Sequence, residues 1–472
     1  MKNSISIIIM TCCLPFIIWG VSGIGPTFDD YTSLQSTWYI QISDPGYFFP
    51  DCIRRPWDFL FGCLLGYFPF LFPALNHIFI ILGHTISTLL VFTICRHLKM
   101  NTIATNIATL FFFFSPATLG ATLACDGLNQ TYAQLWGLLS LWFFLIKRRG
   151  LWILCLIMAT LSKENGLAWA IVGPIISYGF SLSNKHQALK YAYIGIGFAL
   201  AYFILMAILT LSGIFGITYD EQYAQLSLAD HLKDFIQLMV YTWIPIDFMS
   251  IVYQPTRNWY IVGITALMVL PFLILLGRQW RIIKNRQLLS LSVCFFILIA
   301  PHLITLVSIM HNYAGLSMAA LIIAYIINHI DNNRLLITTF TLFLSAAVFT
   351  DIHHYLAARQ SGEISKQMAS FVINEVKLTD NKIPKQVLCI SIDNKQLPHY
   401  SNFCVRPVDA FAWGLSVRHY SHYKWKTQIS SISLPIYDEQ QIKLLADSAL
   451  HNSNEAVWVV GHDSNKVKII RP

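Results

Sequence analysis

The sequence predicts a polytopic α-helical membrane protein with a small α/β domain at its C-terminal end. Three observations point there. Of 472 residues, 55% are hydrophobic and only 12% are charged, where soluble domains carry about 25% charged residues. The mean hydropathy is +0.55. The apolar residues come in long runs punctuated by basic clusters, and from about His353 the composition turns to that of a soluble domain. The net charge of +8 does not point to nucleic acid, because the basic residues gather between apolar runs, where they set topology.

Met1-Lys2 and the apolar run from Ile5 to about Ile24 resemble a signal peptide. No small-residue cleavage site follows and the run is long enough to span, so an uncleaved first helix is expected. A polar loop from Gly25 to Pro69 comes next, in which Leu34, Trp38 and Ile42 have the spacing of an interfacial amphipathic helix. Leu71 to Cys95 crosses back to Arg96-His97-Leu98-Lys99. Ile103 to Ala124 crosses outward to a short loop with Asp126 and Asn129, and Thr131 to Ile146 returns to Lys147-Arg148-Arg149. Both basic clusters then lie on the cytoplasmic side.

Leu151 to Ser181 is too long for one span of about 20 residues and too short for two. The positive-inside rule decides for two short helices meeting at Ser162-Lys163-Glu164-Asn165, because one span would put Arg278, Arg281, Lys284 and Arg286 outside. Leu189 to Ile214 spans next. A second outer loop, Phe215 to Asn258, is followed by spans at Trp259 to Leu276, Leu288 to Met310, Ala314 to Ile330 and Leu335 to Thr350. That makes about eleven spans, two of them the short helices within Leu151 to Ser181. Residues 1–352 form the membrane domain, and 353–472 a soluble extracytoplasmic α/β domain.

In that domain, Arg359 to Val376 and Ile442 to Leu450 read as helices, Val387 to Ile392 and Val457 to Val460 as strands. Cys12, Cys13, Cys95, Cys155 and Cys294 lie in or at the ends of apolar runs and read as packing residues. Cys389 and Cys404 can pair only if their segment lies outside. Nothing in the chain has the Cys/His spacing of a metal site.

The chemistry-bearing stretch lies between the first two spans: Asp29-Asp30, then Arg54-Arg55-Pro56-Trp57. A carboxylate beside another is a better base, and arginine grips phosphate oxygens in pairs. Each feature also has a plain structural reading. The Asp pair can close a turn after Gly25-Pro26, the arginines can anchor at headgroups, and Lys163-Glu164 can close a helix hairpin. His77 and His84 read as interhelical hydrogen-bonding residues rather than ligands, and Phe111 to Phe114 as packing.

Taken in order, these stretches resemble the membrane-embedded GT-C glycosyltransferases, specifically the protein O-mannosyltransferase superfamily. The resemblance covers roughly residues 5–330. It rests on Asp29-Asp30 after the first span, Arg54 to Trp57 before the second, Asn76-His77 within it and the Ser162-Lys163-Glu164 turn. Trp243-Ile244-Pro245 with Tyr253, and Asn312-Tyr313, complete it. The chain departs from the family in having His311-Asn312-Tyr313 in place of Glu-Arg-Tyr, Ser115-Pro116 in place of His-Pro, and no tetratricopeptide repeats.

The resemblance implies an inverting transfer of a sugar from a polyprenyl-phosphate donor to a hydroxyl acceptor on the outer face. It implies Asp30, with Asp29 beside it, as the base. Arg54, Arg55, Lys163, Glu164 and His311 would contact the donor phosphate, and Asp126, Trp57 and Tyr313 the sugar or acceptor. No metal is required by this chemistry, although the Asp pair can hold a divalent ion. The expected partners are the lipid-linked donor, membrane lipids and a glycan, lipid or protein acceptor, with no nucleic acid. The expected setting is a bacterial inner membrane. A flippase or secondary transporter, which would show internal repeats and midplane charges, and an envelope ligase or polymerase with late periplasmic arginines stand as alternatives.

Overall fold

The computed structural model describes residues 4–27, 30–31, 71, 73–213, 227–245, 258–283, 285–303, 309–379, 383–392, 409–422, 424–452, 454–461 and 467–470. The described chain is mostly helical and closes with a small sheet. Its N-terminal part holds α1 (Ile5–Val21), α2 (Ala74–His97), α3 (Thr102–Phe113), α4 (Leu128–Leu145), α5 (Arg149–Ser162) and α6 (Val172–Gly179). Then come α7 (Lys185–Leu211), α8 (Leu228–Trp243), α9 (Trp259–Ile282), α10 (Arg286–Ile299), α11 (Tyr313–Ile327) and α12 (Asn333–Thr379).

Six described helices are long and apolar enough to cross a membrane, or seven if the pair Thr102–Phe113 and Pro116–Thr122, bent by 41°, makes one span. Apolar side chains point outward both on the shorter helix α1, where Phe16 is 75% exposed and Trp19 79%, and on the span-length α7, where Leu211 is 88% exposed. Faces of that kind belong against lipid rather than water.

The centre of the bundle is α11, buried along its whole length. Ala314, Gly315, Ser317, Ala319, Ala320 and Ala324 let neighbouring helices approach it closely. At Gly315 a Cβ would press into the ring of Phe295 on α10. Between α1 and α3 a polar clip joins the bundle, where the buried Ser6 N–H and hydroxyl donate to Asn106 Oδ1 at 3.0 and 2.6 Å.

Two breaks follow from local chemistry. The segment expected as one span over Ile103 to Ala124 ends at Phe113, because Pro116 cannot extend a helix and Ser115 before it is extended. Ser115 caps the following 3-10 turn, Pro116–Thr118, and a one-turn helix, Leu119–Thr122, comes next. The second break is at Lys163, whose backbone is extended (φ −158°, ψ 143°) between α5 and the 3-10 helix Glu164–Ala170. There the Gly166 N–H donates to the Lys163 carbonyl at 2.8 Å. A Cβ on Gly166 would overlap the backbone of Ala159, so the fold-back needs glycine.

Two parts of the chain differ from the sequence expectation. The outer loop Phe215 to Asn258 contains a helix, α8, opened by a capping box in which Ser227 and Asp230 satisfy each other's backbone N–H groups. The boundary drawn at residues 352/353 falls inside α12, which runs unbroken for 47 residues, about 70 Å. Between Thr350 and Arg359 there is no Gly or Pro, so the change in polarity alters the surroundings of the helix without ending it.

The C-terminal sheet has the order β2-β1-β3-β4, with β1 (Gln386–Ile392), β2 (Gln428–Leu434), β3 (Ala456–Val460) and β4 (Val467–Ile470). β1 is parallel to β2 and β3, and β4 is antiparallel to β3. Apolar side chains cover both faces. Val387, Cys389 and Trp458 pack with Met368 and Val372 of α12, while Leu388, Ile390 and Val457 pack with Ile442 and Ala446 of α14. The helix α13 (Leu415–Tyr420) precedes β2, and α14 is Glu439–His451. Cys389 is buried in β1, and Cys404 lies outside the described residues.

On α13, burial and the nearby His422 pull the imidazole of His419 down to about 4 from the ordinary 6.5. The folded domain therefore favours neutral imidazole, and this contribution is complete above about pH 6.5. It is lost as pH falls toward 4, an effect on the order of 2 kcal/mol. A denaturation series between pH 7 and 4 should show the loss, and His419→Phe should flatten that part of the profile.

Candidate functional site

The site is built around the start of α4. After α1 the chain turns at Gly25, whose backbone lies directly against that of Gly362 on α12. It then places Asp30 and Tyr31 back to back. Asp30 is 1% exposed. Its Oδ2 accepts from the Thr27 N–H at 2.9 Å and from the Thr27 hydroxyl at 3.3 Å. Its Oδ1 accepts the Cys125 N–H at 2.6 Å, at the 3-10 turn Cys125–Gly127 that leads into α4.

Tyr31 faces the other way. Its hydroxyl lies 3.2 Å from Ser365 Oγ of α12, and its ring packs beside His419 and Tyr420 of α13. This short stretch thus clips the membrane bundle to the C-terminal domain.

The turn under Asp30 depends on Gly127, where a Cβ would overlap the Ala121 carbonyl. Backbone cannot give way as a side-chain tip can. Gly127→Ala is expected to cost about 2–3 kcal/mol, read as a lower thermal midpoint of the purified protein.

One turn further along, α4 meets a polar cluster. Asn165 Nδ2 lies 3.3 Å from Gln130 Oε1 and 2.9 Å from His302 Nε2. The His302 ring stacks on His311, with centroids 4.4 Å apart. Lys163 Nζ approaches Met310 Sδ at 3.7 Å, and its charge acts on both imidazoles. Glu164, half-buried, opens the adjoining 3-10 helix. On the far side, α8 closes the edge through His231 Nδ1, 2.8 Å from the Leu303 carbonyl oxygen.

Around these groups, hydrogen-bonding capacity is left over. Asn165 Oδ1, Gln134 Nε2, Asn312 Oδ1 and Asn76 Oδ1 are buried and have no partner among the described residues. His77 Nε2 sits 3.5 Å from Cys125 Sγ, under the turn that Asp30 holds. Buried polar atoms are nearly always satisfied, so each of the four unpartnered atoms has capacity for a further polar partner.

Of the residues singled out in the sequence, Lys163 and His311 meet in one cluster. Asp30 joins the same end of α4: Cys125 and Gln130 are five residues apart, a span of at most about 18 Å. Tyr313 is elsewhere, fully buried in the bundle with its hydroxyl 2.9 Å from His84 Nδ1. Asp126 lies in the 3-10 turn Cys125–Gly127, and its side chain is outside what the structure describes. Asp29, Arg54, Arg55 and Trp57 lie outside the described residues.

Among the described residues, no three His, Cys, Asp or Glu side chains converge as a metal site. The sequence reading passed over Gln130 and His302, and named Asn165 in the turn without giving it a role. His302 carried a signal, an imidazole directly after a proline at the end of an apolar run.

No family model matches the chain, and no curated protein or solved structure matches it.

Proposed function

We propose that this protein is an inverting glycosyltransferase of the GT-C type. It would move a sugar from a polyprenyl-phosphate donor to a hydroxyl acceptor on the extracytoplasmic face of a bacterial inner membrane. About eleven spans would carry the site, and the C-terminal domain would face the same compartment. The observation that carries this reading is the cluster of Lys163, Asn165, His302 and His311 at the end of α4 that Asp30 also holds. A cation, imidazoles and an amide suit a phosphate, and a carboxylate nearby suits an acceptor hydroxyl.

In the reaction, Asp30 takes the acceptor proton as the acceptor oxygen bonds to the anomeric carbon. The bond from that carbon to the phosphate oxygen breaks, and the polyprenyl phosphate departs with the electron pair. The leaving group is already an anion, so it needs a cation rather than a general acid. Lys163 meets that need, with Arg54 and Arg55 as further grips. His311 and Asn165 donate hydrogen bonds to the phosphate oxygens, and Glu164 orients Lys163.

The test uses purified protein in lipid nanodiscs with a panel of radiolabelled polyprenyl-phosphate sugars and an envelope extract as acceptor. Release of polyprenyl phosphate with labelled product is the expected result. Donor that crosses vesicle bilayers unaltered, with no sugar released from any member of the panel, would instead identify a transporter.

A further inference from the structure

A polar cavity of about 290 Å³ lies in the C-terminal domain, between the last turns of α12 and the residues that follow α13. Ser370, Asn374 and Lys377 line one wall, and their spacing of four and three residues puts them on one face of α12. His422, Lys424 and the buried Trp425 line the other. The volume is at the small end of ligand pockets, which begin at roughly 300 Å³.

Ser421 holds the second wall in shape. Its hydroxyl donates to the Arg418 carbonyl at 3.0 Å and accepts the Trp425 N–H at 3.1 Å. The Lys424 N–H donates to the Ser421 carbonyl at 3.3 Å, and the His422 N–H to the His419 carbonyl at 3.0 Å. His422 sits at φ 53°, in the left-handed region that residues other than glycine enter seldom. No carboxylate lines the cavity, and neither Lys377 nor Lys424 has an ion-pair partner among the described residues. Both lysines are exposed, so a ligand from solvent can reach their ammonium groups.

We propose that this cavity binds a soluble phosphomonoester with a small hydroxylated body, its phosphate held by Lys377 and Lys424. Two ammonium groups lining one cavity repel each other unless an anion offsets their charge. A phosphomonoester carries about −1.5 to −2 near pH 7 and offers three acceptor oxygens, which matches two lysines, whereas a carboxylate balances only one. Ser370, Asn374 and a ring N–H of His422 supply further donors for the remaining oxygens and for hydroxyl groups. Distance argues for a soluble ligand over a lipid headgroup. Lys377 is 27 residues further along α12 than Thr350, where its apolar stretch ends, about 40 Å of helix. Headgroups reach only about 5–8 Å beyond the hydrocarbon on each side. This site is independent of the transferase reading and is tested without sugar transfer.

The experiment measures binding of glucose 6-phosphate, glucuronate and glucose to the full-length protein in phosphatidylcholine nanodiscs by titration calorimetry. Wild type is compared with Lys377→Gln, Lys424→Gln and, as a control cation on α14 outside the cavity, Lys443→Gln. Glucose 6-phosphate should bind wild type at least tenfold more tightly than glucuronate, and glucose should bind more weakly still. Its affinity should fall at least fivefold in Lys377→Gln and in Lys424→Gln and stay unchanged in Lys443→Gln. Adding phosphatidylglycerol to the discs should leave it unchanged as well. Absence of binding at millimolar glucose 6-phosphate, equal affinity for glucuronate, undiminished binding in either cavity variant or an equal loss in Lys443→Gln overturns the proposal. Competition by phosphatidylglycerol also overturns it, by assigning the cavity to a lipid headgroup.

Discussion

Lys163→Met should lower sugar transfer by about 100- to 1,000-fold, the usual consequence of removing one group that stabilises developing charge in a closed site. Methionine keeps the length of the side chain and its contact with Met310 while deleting the cation, so the fold should persist. The loss should divide between binding and turnover. Part of the phosphate's charge is present in the bound donor, which raises KM. The rest develops as the bond to the anomeric carbon breaks, which lowers kcat. Lys163→Arg, which keeps the charge, should recover part of both. Transfer at the wild-type rate in Lys163→Met would remove this end of α4 from the reaction.

The second large effect is expected at Asp30, where a structural and a chemical role have to be separated. Asp30 holds the Thr27 and Cys125 N–H groups, and both residues are buried. In Asp30→Ala both donors lose their acceptor, at about 1–3 kcal/mol each, and the thermal midpoint should fall accordingly. In Asp30→Asn one amide oxygen remains to accept, so the loss of stability should be roughly half as large. Asparagine cannot take up the acceptor proton, and kcat should fall by about 10²–10⁴ in a protein that is still folded. Were Asp30 only a clip, activity in the two variants would follow their stability, with Asp30→Asn the more active. Equal and near-complete loss in both, at unequal stability, identifies the base.

The apolar runs, the strands β1 and β3 and the helix α14 were legible in the chain, because each is written in a local period that one element expresses by itself. The break at Lys163-Glu164 was legible too, since polar residues in the middle of an apolar stretch have few places to go. Other features were less accessible. The edge strands β2 and β4 were passed over, for β2 buries only two of its seven residues and β4 has four residues in all. The continuity of α12 was hidden by its change in composition, although a change in polarity does not by itself end a helix.

By itself the sequence determined that this chain holds apolar helices long enough to cross a membrane and strands near its C-terminal end, and it singled out Asp30, Lys163 and His311. Only the tertiary structure decided that Lys163 and His311 meet, that Asn165, His302 and Gln130 join them, and that Asp30 grips the turn at the head of the same helix. The reason is geometric. A helix's own sequence sets which side chains share its face, but which faces meet depends on how neighbouring helices rotate and cross. Here that is set by close contacts such as those along the small-residue surface of α11.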